Sequence, residues 1–234
     1  MKTTILSIFL LITGCHVYAQ ESSEVMRVNN GTDISKSMNF QQRFYYDKFQ
    51  DGKVFFRNGR VVKARLNYSL AHGEVQFIDT KKDTLILTEK EFINHIAIGV
   101  DTFYFYQKYG HVKKIGTFNN VTLVEKPHIM VLDNERPAAY GQYSSTSAIS
   151  TYSSFTNSSG LQQALQGGDK VILKKETAYL LIDKNRNILP LNKGSIVKFF
   201  PKQKRALNDY FKDNKVALDT EEEVVKILNY ASSL

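Results

Sequence analysis

Asn58-Gly59 lies between two apolar segments, and it constrains the fold more than any other feature of the chain. Lys53-Val54-Phe55-Phe56-Arg57 comes before it and residues 60–68 come after. Asn-Gly in that setting is the strongest short-range hairpin signal. A type I′ turn needs positive φ at both central residues, and these two tolerate it best. The second arm alternates, with Val62, Ala64, Leu66 and Tyr68 on one face and Lys63, Arg65 and Asn67 on the other. That pattern predicts one buried and one wet face.

Similar short runs follow at 74–79, 84–87, 93–98, 102–106, 112–115, 121–124 and 129–132. Thr88 and Glu91 have capping-box spacing, so a helical turn is expected there. Many short strands separated by turn signals predict an antiparallel sheet, folded as a sandwich or partial barrel. The C-terminal part reads as β then α. Strands are expected at 170–174 and 178–182, with a turn at 183–187 and a resumed strand at Ile188-Leu189. A helix is expected from Pro201, with Leu207, Tyr210 and Phe211 on its apolar face and Asn214 as its stop. A second is expected from Thr220, whose spacing to Glu223 is a capping box. Its first turn holds Glu221, Glu222 and Glu223, where the helix dipole favours anions. Val224, Ile227, Leu228 and Ala231 form its buried stripe. The fold class is therefore mainly β, α+β overall.

Two stretches interrupt this texture. Residues 20–38 are polar, without apolar period, and read as a flexible tether. Residues 137–160 are rich in Ser, Thr and Tyr and read as a linker, because so long a structureless stretch is rare inside one domain. The expected organisation is a signal peptide at 1–19, the tether at 20–38, an antiparallel β domain at 39–136, the linker at 137–160 and a small β plus two-helix module at 161–234.

Lys2 and the run Ile5-Leu6-Ser7-Ile8-Phe9-Leu10-Leu11-Ile12 give the chain an export signal. The run is too short for a bilayer span of roughly 20 residues. Val17-Tyr18-Ala19 fits ordinary cleavage, with Gln20 first in the mature protein. Ile12-Thr13-Gly14-Cys15 also resembles a lipobox, which would lipidate Cys15 and keep the protein on a membrane. The expected location is the periplasm, the outer membrane or outside the cell. Cys15 is the only cysteine, so under either cut the mature chain has no free thiol to act as a nucleophile, pair in a disulfide or bind a metal.

The formal net charge is +8. After export the available anions are lipid head groups, envelope phosphates and acidic glycans, and no nucleic acid is expected as a partner. The sequence holds no G-x-S-x-G elbow, no glycine-rich phosphate loop and no H-E-x-x-H, so no catalytic residue, metal ligand or cofactor is assigned. His72, His95, His111 and His128 stand singly and read as ordinary strand or loop residues. Asp183-Lys184-Asn185-Arg186-Asn187 begins like a calcium loop. Ile188 and Gly194 occupy the positions of its glycine and glutamate, so it reads as a hairpin turn. The pairs Asp79/Asp83 and Asp133/Glu135 read as solvated turn residues.

Two features carry binding hypotheses. Lys198, Lys202, Lys204 and Arg205 fall in a stretch without acids, the last three in the first turn of the Pro201 helix, where cations oppose the dipole unless an anion joins them. Phe199-Phe200 beside them is expected to add apolar contact with lipid. Tyr104 and Tyr106 lie on one side of an aromatic strand and offer a stacking face for sugars.

Tyr179-Leu180-Leu181-Ile182, Ile188-Leu189-Pro190, Lys198-Phe199-Phe200-Pro201-Lys202-Gln203-Lys204, Tyr210-Phe211-Lys212-Asp213-Asn214-Lys215 and residues 222–230 resemble the tail of a family of uncharacterised secreted proteins of Bacteroidota. The resemblance implies an envelope location and transfers no active site. The expected function is an exported, non-catalytic envelope protein that binds a protein partner, a glycan or an anionic lipid surface. The alternative is a hydrolase that attacks an envelope polymer with dispersed carboxylates.

Overall fold

The computed structural model describes residues 25–29, 37–137, 143–145 and 170–234. The export signal, Cys15 and most of the 137–160 stretch lie outside the described residues.

The fold is mainly β. One antiparallel sheet is followed by C-terminal helices, and the sheet does not close. Its strands are β1 (Val25–Asn29), β2 (Gln50–Phe56), β3 (Val61–Ser69), β4 (Glu74–Ile78), β5 (Thr84–Ile86), β6 (Ile93–Ile98), β7 (Asp101–Tyr106), β8 (Gly110–Phe118), β9 (Val121–Pro137), β10 (Tyr143–Ser145), β11 (Lys170–Asp183) and β12 (Ile188–Pro190). The helices are α1 (Phe40–Arg43), α2 (Lys193–Phe199), α3 (Lys204–Asp213) and α4 (Glu221–Ser233), with 3₁₀ turns at Lys90–Phe92 and Pro201–Gln203. Strand order is β1-β11-β9-β8-β7-β6-β2-β3-β4-β5, with β10 on β9 and β12 on β11.

The hairpin at Asn58-Gly59 forms, but with a different turn from the one expected. Gly59 has φ +86°, while Asn58 is not in the left-handed region. Gly59 N–H donates to the Phe56 carbonyl and Phe56 N–H to that of Arg60. This is a type I turn closed by a glycine bulge, the usual form for a loop one residue longer than the two-residue turn. The alternation in β3 holds only in part. Leu66 and Tyr68 are fully buried, as expected, but so is Asn67 on the other face. The chain at Tyr46 crosses over Asn67 and exchanges two hydrogen bonds with it, Tyr46 N–H to Oδ1 and Nδ2 to the Tyr46 carbonyl.

Two pairs of expected strands are each one long strand. The runs at 121–124 and 129–132 join into β9 through Pro127, and those at 170–174 and 178–182 join into β11. A strand residue's N–H and C=O share an edge. The Pro127 carbonyl accepts from the Tyr68 hydroxyl at 3.0 Å, and β8 stops pairing with β9 at Glu125. The missing N–H of Pro127 therefore faces an edge without a ladder partner, where proline is tolerated.

The segment read as a tether contributes a strand, since β1 pairs along β11 from Val25↔Lys174 to Asn29↔Lys170. β11 in turn pairs with β9 from Lys170↔Glu135 to Asp183↔Val121, so strands from either side of residues 137–160 share one sheet. Val28, Val171 and Leu173 join the same apolar cluster as Val54, Leu66, Val75 and Phe103. That cluster needs the sheet to bend, because β4 and β8 have four strands between them and still touch through side chains.

The helical module begins earlier than the sequence indicated. Asn192 and Ser195 form a reciprocal capping box that starts α2, a helix missed because Gly194 and a β-branched pair, Ile196-Val197, hide its period. Pro201 opens a 3₁₀ turn, and α3 starts three residues later. α4 runs as expected, with half of its capping box: the Thr220 hydroxyl accepts from Glu223 N–H, and Val224, Ile227, Leu228 and Ala231 are buried. They pack with Ile196, Phe200 and Leu207 against Phe118, Val121, Leu123 and Leu181. Leu180, Ile182 and Val124, on the opposite face of the same strands, form a smaller cluster with Val112 and Tyr106. Burial on both faces explains the continuous apolar run Tyr179-Leu180-Leu181-Ile182.

Candidate functional site

Three places bring chemistry-bearing side chains together. The first lies inside the bend. Glu74 on β4 reaches His111 on β8, with Oε2 2.6 Å from Nδ1, while its Oε1 accepts from Lys90 Nζ at 2.6 Å. Glu74 is 3 % exposed and His111 is fully buried. Val75 N–H also approaches Nδ1 at 3.5 Å. The short carboxylate contact requires a proton on Nδ1, so the Val75 approach is too long and wrongly paired to count as a second bond. Burial opposes the charge on Glu74, but His111 and Lys90 outweigh it and hold the carboxyl below its usual range. Burial lowers the ammonium of Lys126, with Glu74 partly offsetting it, and Lys126 Nζ donates to the Tyr109 carbonyl. The Phe105 ring lies 5.3 Å from the imidazole. His111 Nε2 has no hydrogen-bond partner.

A second polar group sits on the same face, between the two large apolar clusters. Lys113 Nζ bonds Glu125 Oε1 and the Tyr45 hydroxyl, both at 2.7 Å, and the Tyr45 hydroxyl also donates to Glu125 at 3.1 Å. The Tyr46 hydroxyl donates to Asp101 at 2.6 Å. Burial works against the Lys113 charge, yet the bonds to Glu125 and Tyr45 win and raise it well above the lysine range. Burial and Asp101 push the Tyr46 phenol far up. These groups satisfy one another. They tie the 45–46 segment to β7, β8 and β9, and no sequence spacing announces them because the partners are far apart in the chain.

The third place is open to solvent. The turn after β8 (Asn119, Asn120), the turn after β11 (Asp183 to Asn185) and the junction of α2 with the 3₁₀ turn enclose a groove of about 620 Å³. Lys184, Lys198 and Lys202 line it, together with Asn119, Asn120 and Gln203; Asn119 Nδ2 donates to the Ser232 carbonyl. Among the described residues neither Lys198 nor Lys202 has an ion-pair partner. Asp183 is the one acid in the lining. Its oxygens accept from Asn187 Nδ2 and from the N–H groups of Asn185 and Asn187, which together hold the carboxyl below its usual range, the Asn187 side chain foremost.

The residues expected from sequence divide accordingly. Lys198 and Lys202 meet in the groove, whereas Lys204 and Arg205 are exposed on the first turn of α3 outside its lining. Phe200 is buried in the helical core, and Phe199 packs against that core while staying half-buried; both belong to the groove lining. Tyr104 is partly exposed near His95 at 6.1 Å between ring centres. Tyr106 is half-buried against the small cluster, with the Arg186 guanidinium 5.5 Å from its ring centre. Lys184 was read from sequence only as part of a hairpin turn, and Asn119 and Asn120 were not singled out. Only the fold carries their turns to α2. Asp79 is a turn residue, its Oδ1 accepting from Lys81 and Asp83 N–H. Asp133 and Glu135 side chains lie outside the described residues. Among the described residues no three metal-ligating side chains converge, and no helix is long and apolar enough to cross a membrane.

No family model, curated protein or solved structure matches this chain.

Proposed function

We propose that the protein is an exported, non-catalytic binding module of the cell envelope that holds an anionic surface in the lysine–amide groove. The observation that carries this reading is the convergence of Lys184, Lys198 and Lys202 from two separate parts of the chain on one open groove. Ammonium groups supply charge that suits phosphate or carboxylate oxygens, and Asn120 and Gln203 carry amide donors in the same lining. The Glu74–His111 pair is the one His–carboxylate contact of hydrogen-bond length among the described residues, and it is sealed from solvent. That supports a structural role for the pair and leaves recognition to the surface. The N-terminal signal supports the envelope setting.

The test is co-sedimentation of the mature chain with vesicles of phosphatidylglycerol and phosphatidylcholine. Binding should need the anionic lipid, fall with salt and weaken in Lys184→Glu/Lys198→Glu/Lys202→Glu. Lys204→Glu/Arg205→Glu should bind nearly as the wild type does. Equal binding by the groove variant and the wild type would overturn the reading. Fractionation with intact-mass analysis tests export and decides between Cys15 and Gln20 as the first mature residue.

A further inference from the structure

The convex face of β2, β3 and β6 holds an arrangement that costs the fold stability unless something answers it. Lys53 on β2 is registered directly opposite Lys63 on β3. Directly opposed side chains in an antiparallel pair are close neighbours, and like charges there repel. Both lysines are exposed, and among the described residues neither has an ion-pair or hydrogen-bond partner. On the other side of Lys53 its register partner is Ala97, a small residue that leaves a dent in the sheet surface. Lys53, Lys63, Phe55 and Ala97 line a depression of about 540 Å³ together with Asp51 and Arg65, which pair at 3.6 Å and so leave the two lysines as its net charge. It shares no residue with the lysine groove of the helical module.

The neighbouring row on this face is apolar and aromatic. Val61 opposes Phe55, which opposes His95, and His95 approaches Tyr104. Phe55 and His95 stack with ring centres 4.3 Å apart and planes 12° apart. Val61 is 48 % exposed, and Phe55 and Tyr104 are partly exposed. An extended ligand lying across the strands would therefore meet two parallel rows: one cationic, and one of rings and methyls. We infer that this face binds an acidic polysaccharide, its carboxylates on Lys53 and Lys63 and its apolar sugar faces along Val61, Phe55 and Tyr104. A polyanion answers the paired charges. The adjacent apolar row favours one with C–H faces over a bare phosphate.

The test is affinity electrophoresis of the mature chain in gels containing polygalacturonate or neutral dextran. Polygalacturonate should retard the wild type and dextran should leave it unshifted. Lys53→Ala/Lys63→Ala should lose about tenfold or more in affinity, the size of a lost charge-assisted hydrogen bond. Phe55→Ala should weaken binding at fixed ionic strength. Lys198→Glu/Lys202→Glu should be retarded as the wild type is, which separates this face from the groove whatever the vesicle experiment shows. Exposed lysines can be changed with little effect on stability, so the double variant should fold, as circular dichroism would verify. Absence of retardation, equal retardation of the double alanine variant, or stronger retardation by single-stranded DNA than by polygalacturonate would each overturn the inference.

Discussion

Replacing Glu74 with Gln should show what holds the bent sheet together. Glu74 makes the short contact between β4 and the His111 side chain, and it also holds Lys90. Its two oxygens face two donors, Lys90 Nζ and His111 Nδ1. A glutamine can answer one of them, because its other end is itself a donor. A tautomer change at His111 would only move the problem, leaving an unpaired N–H at Nε2, which has no partner. The substitution also leaves the buried ammonium of Lys126 without its nearest offsetting charge. Removing one member of a buried ion pair costs about 3–5 kcal/mol. For a chain of this size that corresponds to a fall in Tm of roughly 10 °C. Urea unfolding should show a lower midpoint with an unchanged slope. Glu91→Gln, an exposed neighbour, should stay within about 0.5 kcal/mol of the wild type. The pH dependence carries a sign. Glu74 has a folded pKa below its ordinary 4.5, so its contribution is present above that value and lost as pH falls through the folded pKa. The gap between wild type and Glu74→Gln should therefore narrow below pH 4.5 and be constant near neutrality. A gap under about 1 kcal/mol at pH 7, or one that widens in acid, would refute the argument.

Two further substitutions test local readings. Thr220→Ala removes the hydroxyl that accepts from Glu223 N–H and should cost about 1 kcal/mol by urea unfolding; no change would mean that α4 needs no cap. At Gly52 an added Cβ would sit 2.5 Å from the Ala97 carbonyl and 2.7 Å from Leu66 Cδ1, so Gly52→Ala must spread β2 from β6 and should cost about 1–3 kcal/mol. Gly59→Ala meets no neighbour and should lose only the roughly 1–2 kcal/mol of left-handed backbone strain; if it proves the more damaging of the two, the steric reasoning fails.

Elements whose signals are local can be read from the chain alone. The hairpin at Asn58-Gly59, the turn at 183–187 and the whole of α4 with its buried stripe depend on neighbours a few residues away, and all three were legible. Turn type at Asn58-Gly59 was not, because loop length depends on where the strands begin to pair. Strand extent failed for the same reason. β9 and β11 support each other residue by residue, so Pro127 and the polar break at Lys174-Lys175-Glu176-Thr177 do not end them. The strand at 25–29 was hidden in a mostly polar stretch: Met26 and Val28 alternate into the core, and the edge of β11 supplies the pairing. Site residues divide along the same line. Lys198 and Lys202 were readable as a cationic cluster within one short stretch. That Lys184 joins them, that Lys204 and Arg205 do not, and that Lys53 faces Lys63 beside Phe55 are matters of register and of turns brought together. Glu74 and His111 are 37 residues apart in the chain. Only the bend, imposed when the apolar faces of β1, β11, β2 to β4, β6 and β7 bury against one another, brings their 2.6 Å contact into being.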